Sequence, residues 1–410
     1  MDRRRLLVPV LIGLVGILAV VGYLLGQGDL SITVEPTTSS TNTPVPTTIF
    51  LRPSRVPATG NQPIATFALP GDGQAIDTPV ALPTVPPPAP DSDEPIPPIV
   101  YANTGQLWRN DGAGNPSIQL TTFPPDQIPS HPAFSPDGQQ IAFVLLVAPP
   151  ITATLPLPSS KLFLIDRDGQ NQRELWAPEE GLLSLPSWTP DGQALYMFAN
   201  GSLSDSGAPD DGNSKLQIIR YDLTTGERRL IVSRALDPAL SHDGSQLTYL
   251  AFDDDGVTMH LNRSAADGSQ PIRVVDGKDF LGLYAPRFTP DGNAIIFAGI
   301  EGPPTDQRGF PISNSSEPGL LDRLFGWLEP PTAAAHGAPW DLWIVNIDGS
   351  GLRRLTFLYD DLPMATFSPD GEVVAVLAYN GMYLMNPDGS NLRRIQPVGD
   401  HGGIDWDRAR

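Results

Sequence analysis

The sequence contains no cysteine. This absence excludes disulfides, thiolate metal sites and a lipid anchor attached to a cysteine, so a folded domain must be stabilised by its core alone. Positive charge is also scarce: 26 lysines and arginines stand against 46 aspartates and glutamates, a formal net charge of −20. Because nucleic acids and anionic membrane surfaces are bound by basic faces, the composition argues against nucleic acid as a partner. A cationic partner or a bound metal ion stays open.

Several catalytic signatures are missing as well. The chain has no G-x-S-x-G nucleophile elbow and no H-E-x-x-H zinc motif. The acidic run Asp253-Asp254-Asp255-Gly256 lacks the spacing and the distal glutamate of an EF-hand loop. We therefore predict no catalytic residue and no cofactor, with a divalent cation such as calcium left open.

An apolar run near the N-terminus is long enough to cross a membrane. Residues 6–25 are uncharged, and as a helix they would span about 30 Å, the thickness of a hydrocarbon core. Arg3, Arg4 and Arg5 precede the run, and the positive-inside rule keeps that side cytoplasmic. We predict a cytoplasmic segment 1–5, a single-pass transmembrane signal anchor over 6–25, and an extracytoplasmic remainder at the cell membrane. The alternative is a cleaved signal peptide ending near Gly26.

Residues 31–98 are rich in proline, threonine and serine, as in ALPTVPPPAP. They lack a periodic apolar pattern, so side-chain burial would not offset the entropy lost on ordering. We predict a disordered linker whose reach lies between about 45 Å as a coil and about 210 Å as a polyproline rod.

The remaining residues, 99–410, repeat a short motif. FSPDGQQIAFV returns as SWTPDGQALYMF, ALSHDGSQLTYL, RFTPDGNAIIFAG and TFSPDGEVVAVLAY. In its first copy Pro136 fixes φ, Asp137 bonds back to the backbone and Gly138 takes a left-handed conformation, which predicts a tight β-hairpin. In the third copy His242 replaces the proline.

A second kind of hairpin, as in DLWIVNIDGSGLRRLT, alternates with the first. One hairpin of each kind makes a four-stranded unit that recurs every ~50 residues, the period of propeller blades. Three strands from Ile99 onward and a last strand at 403–407 make a sixth unit. We therefore predict an all-β fold, a six-bladed β-propeller closed by pairing of the N- and C-terminal strands, without an exposed sheet edge. The five whole units are 132–176, 186–232, 238–275, 286–355 and 363–395.

The tandem P-x-[FW]-[ST]-P-D-G-x-x-[IL]-x-[FY] units resemble the six-bladed propeller of TolB-like proteins, a branch of the WD-like repeats. The resemblance covers about residues 99–410. It implies the fold but not one function, because similar propellers occur in transport complexes, sensors and peptidases. In the family that this sequence resembles, the TolB protein is soluble and periplasmic, with an α/β domain ahead of the propeller. Here an anchor and a linker replace that domain, so the resemblance does not imply a role in a Tol–Pal envelope complex.

Antiparallel strands place the P-D-G turns and the turns of the second hairpins on one face of the propeller, the P-D-G face. The opposite face gathers the loops that link blades and those that join the second and third strands of a blade. The long insertions, 147–160, 200–214 and 299–339, all fall on this insertion face. Because long loops on one face of a rigid ring commonly carry binding, we predict the insertion face as the binding face and the P-D-G face as scaffold.

Two sets of residues on the insertion face are candidates for binding. The first is a collar of carboxylates and two histidines at the predicted channel mouth, which would concentrate a cation or dock a basic segment; the alternative is solvated loop carboxylates. The collar comprises Asp126, Glu179, Glu180, Asp237, Asp279, Asp360, Asp361, Asp400, His131 and His401.

The second set is an apolar stripe on a short helix predicted within SSEPGLLDRLFGWLEPP. This stripe would anchor a partner protein or a lipid surface, or else pack on the propeller itself. Its residues are Leu321, Leu324, Phe325, Trp327 and Leu328.

These observations favour a membrane-anchored binding or scaffold protein that engages a protein, peptide or glycan outside the membrane. Two alternatives stay open. One is a component of an envelope transport complex analogous to TolB. The other is a propeller hydrolase or lyase that uses carboxylates at the channel mouth. Ligand identity and oligomeric state are not specified by the sequence.

Overall fold

The computed structural model describes residues 96–112, 115–148, 158–178, 181–200, 216–253, 256, 258–306, 308–311, 340–397 and 399–408. The predicted transmembrane anchor, segment 1–5 and nearly all of the predicted linker lie outside these ranges. Glu179, Glu180 and the apolar stripe at 321–328 also lie outside them. Within the described ranges no helix is long and apolar enough to cross a membrane.

The described residues form six antiparallel sheets of four strands each. The inner strand of every sheet contacts the inner strands of its two neighbours, and this cycle closes on itself. The predicted six-bladed propeller is confirmed.

The first three blades follow the chain from its N-terminal strand, and the innermost strand of the first blade is the last one in the sequence. Blade one comprises β1 (Pro98–Asn103), β2 (Gln106–Asp111), β3 (Ile118–Gln119) and, innermost, β24 (Ile404–Trp406). Blade two comprises β4 (Gln127–Phe134), β5 (Gln140–Val147), β6 (Ser159–Asp166) and β7 (Arg173–Trp176). Blade three comprises β8 (Leu182–Trp188), β9 (Ala194–Asn200), β10 (Leu216–Asp222) and β11 (Arg228–Ser233).

The other three blades repeat this order, each with its first strand innermost. Blade four comprises β12 (Ala235–Leu240), β13 (Gln246–Phe252), β14 (Met259–Ala265) and β15 (Ile272–Val275), and a 3₁₀ turn, Gly277–Asp279, leads to the next blade. Blade five comprises β16 (Phe280–Phe288), β17 (Ala294–Glu301), β18 (Trp340–Asn346) and β19 (Arg353–Arg354). Blade six comprises β20 (Met364–Phe367), β21 (Val374–Ala378), β22 (Gly381–Met385) and β23 (Arg393–Gln396).

The P-D-G turns are held by a hydrogen-bond pattern that includes the residue before the proline. Ser135 donates from its hydroxyl to Asp137 at 2.6 Å, and the same carboxylate accepts from the backbone of Gln139 at 3.0 Å. Gly138 has a φ of +67°, which glycine adopts without steric cost. In the third copy the carboxylate of Asp243 is bonded in the same way by Ser241, which with further donors lowers the pKa of Asp243 to about 2. His242 therefore occupies a turn that closes without proline.

The two ends of the described chain meet in blade one. β24 pairs antiparallel with β1, with Tyr101 opposite Ile404 and Ile99 opposite Trp406. Beside this pair the Arg167 guanidinium bridges Asp111 at 3.0 Å and the fully buried Asp407 at 2.5 Å. This arrangement confirms the predicted closure and ties blade two to it through Arg167.

Candidate functional site

The inner strands all start at the insertion face and end at the P-D-G turns. Each has, within the strand or up to two residues before it, a residue in the left-handed backbone region, with φ between +42° and +92°. In blades two to five the pairing to the next strand also shifts register at this point. Such a residue costs about 1 kcal/mol or more when it is not glycine. Because the strain recurs around the ring, it belongs to the scaffold rather than to one site. The residues are His131, Leu185, Asp237, Ala285, Leu362 and Gly403, and the first five precede prolines.

These residues bring side chains together on the axis and close the channel midway. His131 Nε2 lies 3.1 Å from the hydroxyl oxygen of Tyr284, from blade two to the opposite blade five. Leu185, Met364 and Ile404 belong to one buried apolar cluster that spans blades three, six and one. Burial lowers the pKa of His131 to about 3, and the charge of Arg287 acts in the same direction. The propeller therefore presents two separate axial mouths.

The predicted collar residues do not converge on one point. Asp237 is buried on the axis, where its carboxylate accepts a hydrogen bond from the Ala285 N–H at 3.0 Å. Burial raises the pKa of Asp237 to about 6. Asp360 is also buried, and it accepts hydrogen bonds from the side chain of Asn380 at 2.8 Å and from the Asp361 N–H at 2.8 Å. These two carboxylates accept hydrogen bonds that hold neighbouring backbone in place, rather than lining an opening of the channel.

The other collar residues have separate environments. Asp400 is partly buried, and its carboxylate accepts a hydrogen bond from the His401 N–H at 2.7 Å. Asp126 and Asp279 are exposed to solvent, and Asp361 is half-buried. Among the described residues no group of three or more His, Asp or Glu side chains is placed to hold a metal ion. Binding by the collar, including calcium binding, stays a prediction.

An exposed rim of three aromatic side chains and one leucine, the aromatic rim, lies on the insertion face of blades five and six and was not predicted from the sequence. The rim comprises Leu281, Phe357, Tyr359 and Tyr379, which are between 39% and 71% exposed. The Arg354 guanidinium lies 4.4 Å from the ring centroid of Phe357 and 5.0 Å from that of Tyr359. The available signal was the loop TFLYDDLP, which is richer in aromatic residues than the other blade-linking loops.

The three aromatic side chains of the rim, Phe357, Tyr359 and Tyr379, have ring contacts that hold them in place although they are exposed. The Tyr379 ring stacks on the His401 imidazole with centroids 5.2 Å apart. Arg354 is fixed by an ion pair with the buried Asp341 and by a hydrogen bond to the Thr356 carbonyl at 3.0 Å. Such ordering reduces the side-chain entropy that a partner would have to remove on binding.

The first part of the longest insertion covers the outer edge of blade five. Thr305 forms a β-bridge with Pro311, and the Arg354 N–H donates to the Gly309 carbonyl at 2.8 Å. The segment therefore satisfies backbone groups of the edge strand β19, which would otherwise be open to pairing.

The second mouth, on the P-D-G face, leads to a cavity of about 60 Å³ to which all six inner strands or the turns after them contribute. Trp188 forms part of its wall, and its indole N–H donates to the Ala133 carbonyl at 3.0 Å. Arg287 and His242 also line the cavity. The sequence pattern predicts this face only as scaffold.

Comparisons with known proteins agree with this architecture. A family model for the lipoprotein LpqB β-propeller domain matches residues 105–245, from blade one into blade four. No curated protein matches the chain.

Two solved structures are similar in fold. One is TolB from Acinetobacter baumannii, with a TM-score of 0.49 and 17% identity over 75% of this chain; the match spans 66% of that protein, just under two thirds. The other is a chain of a nidogen/laminin complex, with a TM-score of 0.50 and 11% identity over 75% of this chain and 97% of that one. At such identities the likeness concerns the fold alone.

Proposed function

We propose that this TolB-like six-bladed β-propeller protein is an extracytoplasmic binding or scaffold protein that engages a protein, peptide or glycan partner through its insertion face. The ring of six blades and the match of residues 105–245 to a propeller-domain family support this TolB-like class. The lipoprotein name of that family supports a location in the cell envelope. Because this sequence has no cysteine, the apolar run 6–25 is the candidate anchor in place of a lipid.

The aromatic rim is the observation that carries this proposal. Exposed Tyr and Phe side chains beside arginine are the residue types enriched in interface centres. Covering the exposed half of one such ring would contribute about 2 kcal/mol before ordering costs are subtracted. The rim also lies on the same face as the loops between β5 and β6, β9 and β10, and β17 and β18, which include the long insertions.

The alternatives have less support. A hydrolase or lyase would use free carboxylates, whereas Asp237, Asp360 and Asp400 each accept backbone hydrogen bonds. A component of an envelope transport complex would differ from the proposed scaffold in its partner rather than in the face used.

Site-specific photo-crosslinking in the full-length, membrane-associated protein tests the proposal. A crosslinking residue at Tyr359 or Tyr379 should give a discrete adduct, whereas one at Ile272, which is 44% exposed on the outer strand β15, should not. Once the partner is identified, Tyr359→Ala should weaken its binding by about tenfold, the loss of one hot-spot contact, while Ile272→Ala should leave it unchanged. Adducts at Ile272 alone, or at none of the three positions, would contradict the assignment of the insertion face.

A further inference from the structure

The cavity on the P-D-G face is shaped for one side chain. Its apolar wall comes from five blades, and at about 60 Å³ it is far smaller than the roughly 300–1,000 Å³ of pockets that enclose whole small-molecule ligands. It is still large enough for more than one water molecule. A protruding group of a peptide fits this volume, whereas a sugar ring with its hydroxyl groups does not. The wall residues are Phe134, Trp188, Leu240, Phe288 and Phe367.

The charged side chains that line this cavity are two arginines and one aspartate, whereas the whole chain is acidic. Arg287, Arg408 and His242 line it, and the one carboxylate among its lining residues is Asp405. That carboxylate accepts hydrogen bonds from the Phe134 N–H at 2.9 Å and from the Thr366 hydroxyl at 3.3 Å, and lies 4.0 Å from Arg408. Asp405 is therefore already bonded, whereas the two guanidinium groups of the cavity can only donate.

Arg287 is the central donor. Among the described residues its guanidinium has one hydrogen-bond acceptor, the Pro286 carbonyl at 2.9 Å. Burial lowers the pKa of Arg287, and the charges of Asp405 and Asp237 offset this effect in part. A guanidinium offers five N–H donors in a planar fork that matches a carboxylate. Only one of these donors has an acceptor among the described residues, and because Arg287 lines the cavity, an anion there could accept hydrogen bonds from the others.

We propose that this cavity is a carboxylate-binding site, in which an acidic side chain of an extended peptide bonds Arg287, with His242 and Arg408 at the rim. His242 stands where the other four copies of the turn have proline, and this exception lies at the cavity. The site is separate from the aromatic rim, because the closed axis lies between them.

The chain itself carries the nearest carboxylates. β1 runs from the P-D-G face to the insertion face, so the chain enters the ring at Pro98 on the side of the cavity. Asp91, Asp93 and Glu94 precede Pro98 by four to seven residues, a reach of about 13–23 Å when extended. β1 adjoins the inner strand β24, only about 5 Å farther from the axis. We assign the acidic segment 91–94 as the occupant, at an effective concentration in the millimolar range.

A peptide competition in the full chain tests both parts of the proposal. The probes are the labelled peptides acetyl-APDSDEP-amide and acetyl-APNSNQP-amide, and fluorescence anisotropy measures binding. The triple variant D91N/D93N/E94Q should bind the acidic peptide about tenfold more tightly than the neutral one, and about tenfold more tightly than the wild type does. The added substitution Arg287→Gln should abolish this preference, and His242→Pro, which restores the turn of the other repeats, should reduce it about threefold.

Each other outcome is decisive. Equal binding of the acidic peptide by the wild type and the triple variant, with the acidic preference kept, would overturn the assignment of 91–94 and support a carboxylate from another chain. Equal binding of the acidic and neutral peptides, or no binding of either at 10 mM, would overturn the site. Because Arg287→Gln alters the axis, Arg408→Gln at the exposed rim is the second variant, and it should lower the preference without changing thermal unfolding. Crosslinking at Tyr359 is independent of all these results.

Discussion

Replacing Arg167 by glutamine should destabilise the ring more than any single exposed ion pair can. Arg167 joins Asp407, whose side chain is fully buried, to Asp111, and it also donates to the Gly138 carbonyl of blade two at 3.2 Å. Burial alone would raise the pKa of Asp111, but hydrogen bonds from Arg167 and Arg109 bring it below its usual value. Breaking a buried pair by removing one partner costs about 3–5 kcal/mol. For a domain of this size we expect a decrease in Tm of about 6–10 °C.

Differential scanning calorimetry of the full chain measures this decrease, with Arg273→Gln as the matched control. Arg273 pairs with Asp253 at 2.7 Å, but both side chains are more than a third exposed. Exposed pairs contribute about 0–1 kcal/mol, so the control should shift Tm by about 2 °C or less. The double variant R167Q/D407N should recover part of the loss, because it removes the buried carboxylate as well. Equal shifts for Arg167→Gln and Arg273→Gln would refute the view that the closing blade depends on this pair.

Three further predictions concern the stability effects of substitutions near the propeller axis. The pKa of Asp237, about 6 when folded against about 3.9 when unfolded, makes stability fall as pH rises through that window. Urea titrations should therefore show Asp237→Asn to be more stable than the wild type by up to about 3 kcal/mol at pH 8, and this difference should disappear below pH 4. A difference that does not change with pH would contradict its assignment to the Asp237 carboxylate. The pKa of His131 is lowered to about 3, below the value of about 6.5 in the unfolded chain, so this residue makes stability fall as pH decreases. The variant His131→Asn should therefore lose about 2 kcal/mol less stability than the wild type between pH 7 and pH 5. Gly403→Ala should destabilise the protein by more than Gly292→Ala. Both glycines have positive φ, but an added Cβ at Gly403 would lie 3.1 Å from the His131 Cα, whereas at Gly292 it would meet open space. Equal losses of unfolding free energy in urea titrations would show that only φ matters.

The repeats were sufficient to predict the fold, because the P-D-G turns recur at regular spacing and define each inner hairpin. The count of three strands before the first whole unit and one after the last predicted that the two terminal strands pair, and the structure places Ile99 opposite Trp406. These features are local in the sequence or follow from counting strands, so a single chain contains the information.

The site was less predictable because it depends on how far each residue lies from the axis and on what its neighbours donate. In the sequence Asp237 cannot be distinguished from other loop carboxylates, because its hydrogen bond from the Ala285 N–H comes from the next blade. The contact between His131 and Tyr284 joins residues 153 positions apart across the ring. The cavity on the P-D-G face likewise arises from all six blades, so no single copy of the repeat indicates it.

The position where the chain enters the ring has a mechanical consequence. If the residues before Pro98 are attached to a membrane while a partner holds the opposite face, tension enters the propeller through β1, a strand hydrogen-bonded on both sides. Arg167 links Asp407, just beyond β24, with Asp111 at the end of β2, so it braces both neighbours of the loaded strand. The pairing of β24 with β1, which closes the ring, would therefore also carry a pulling force. Under load, blade one should unfold before the five blades that are each built from continuous chain.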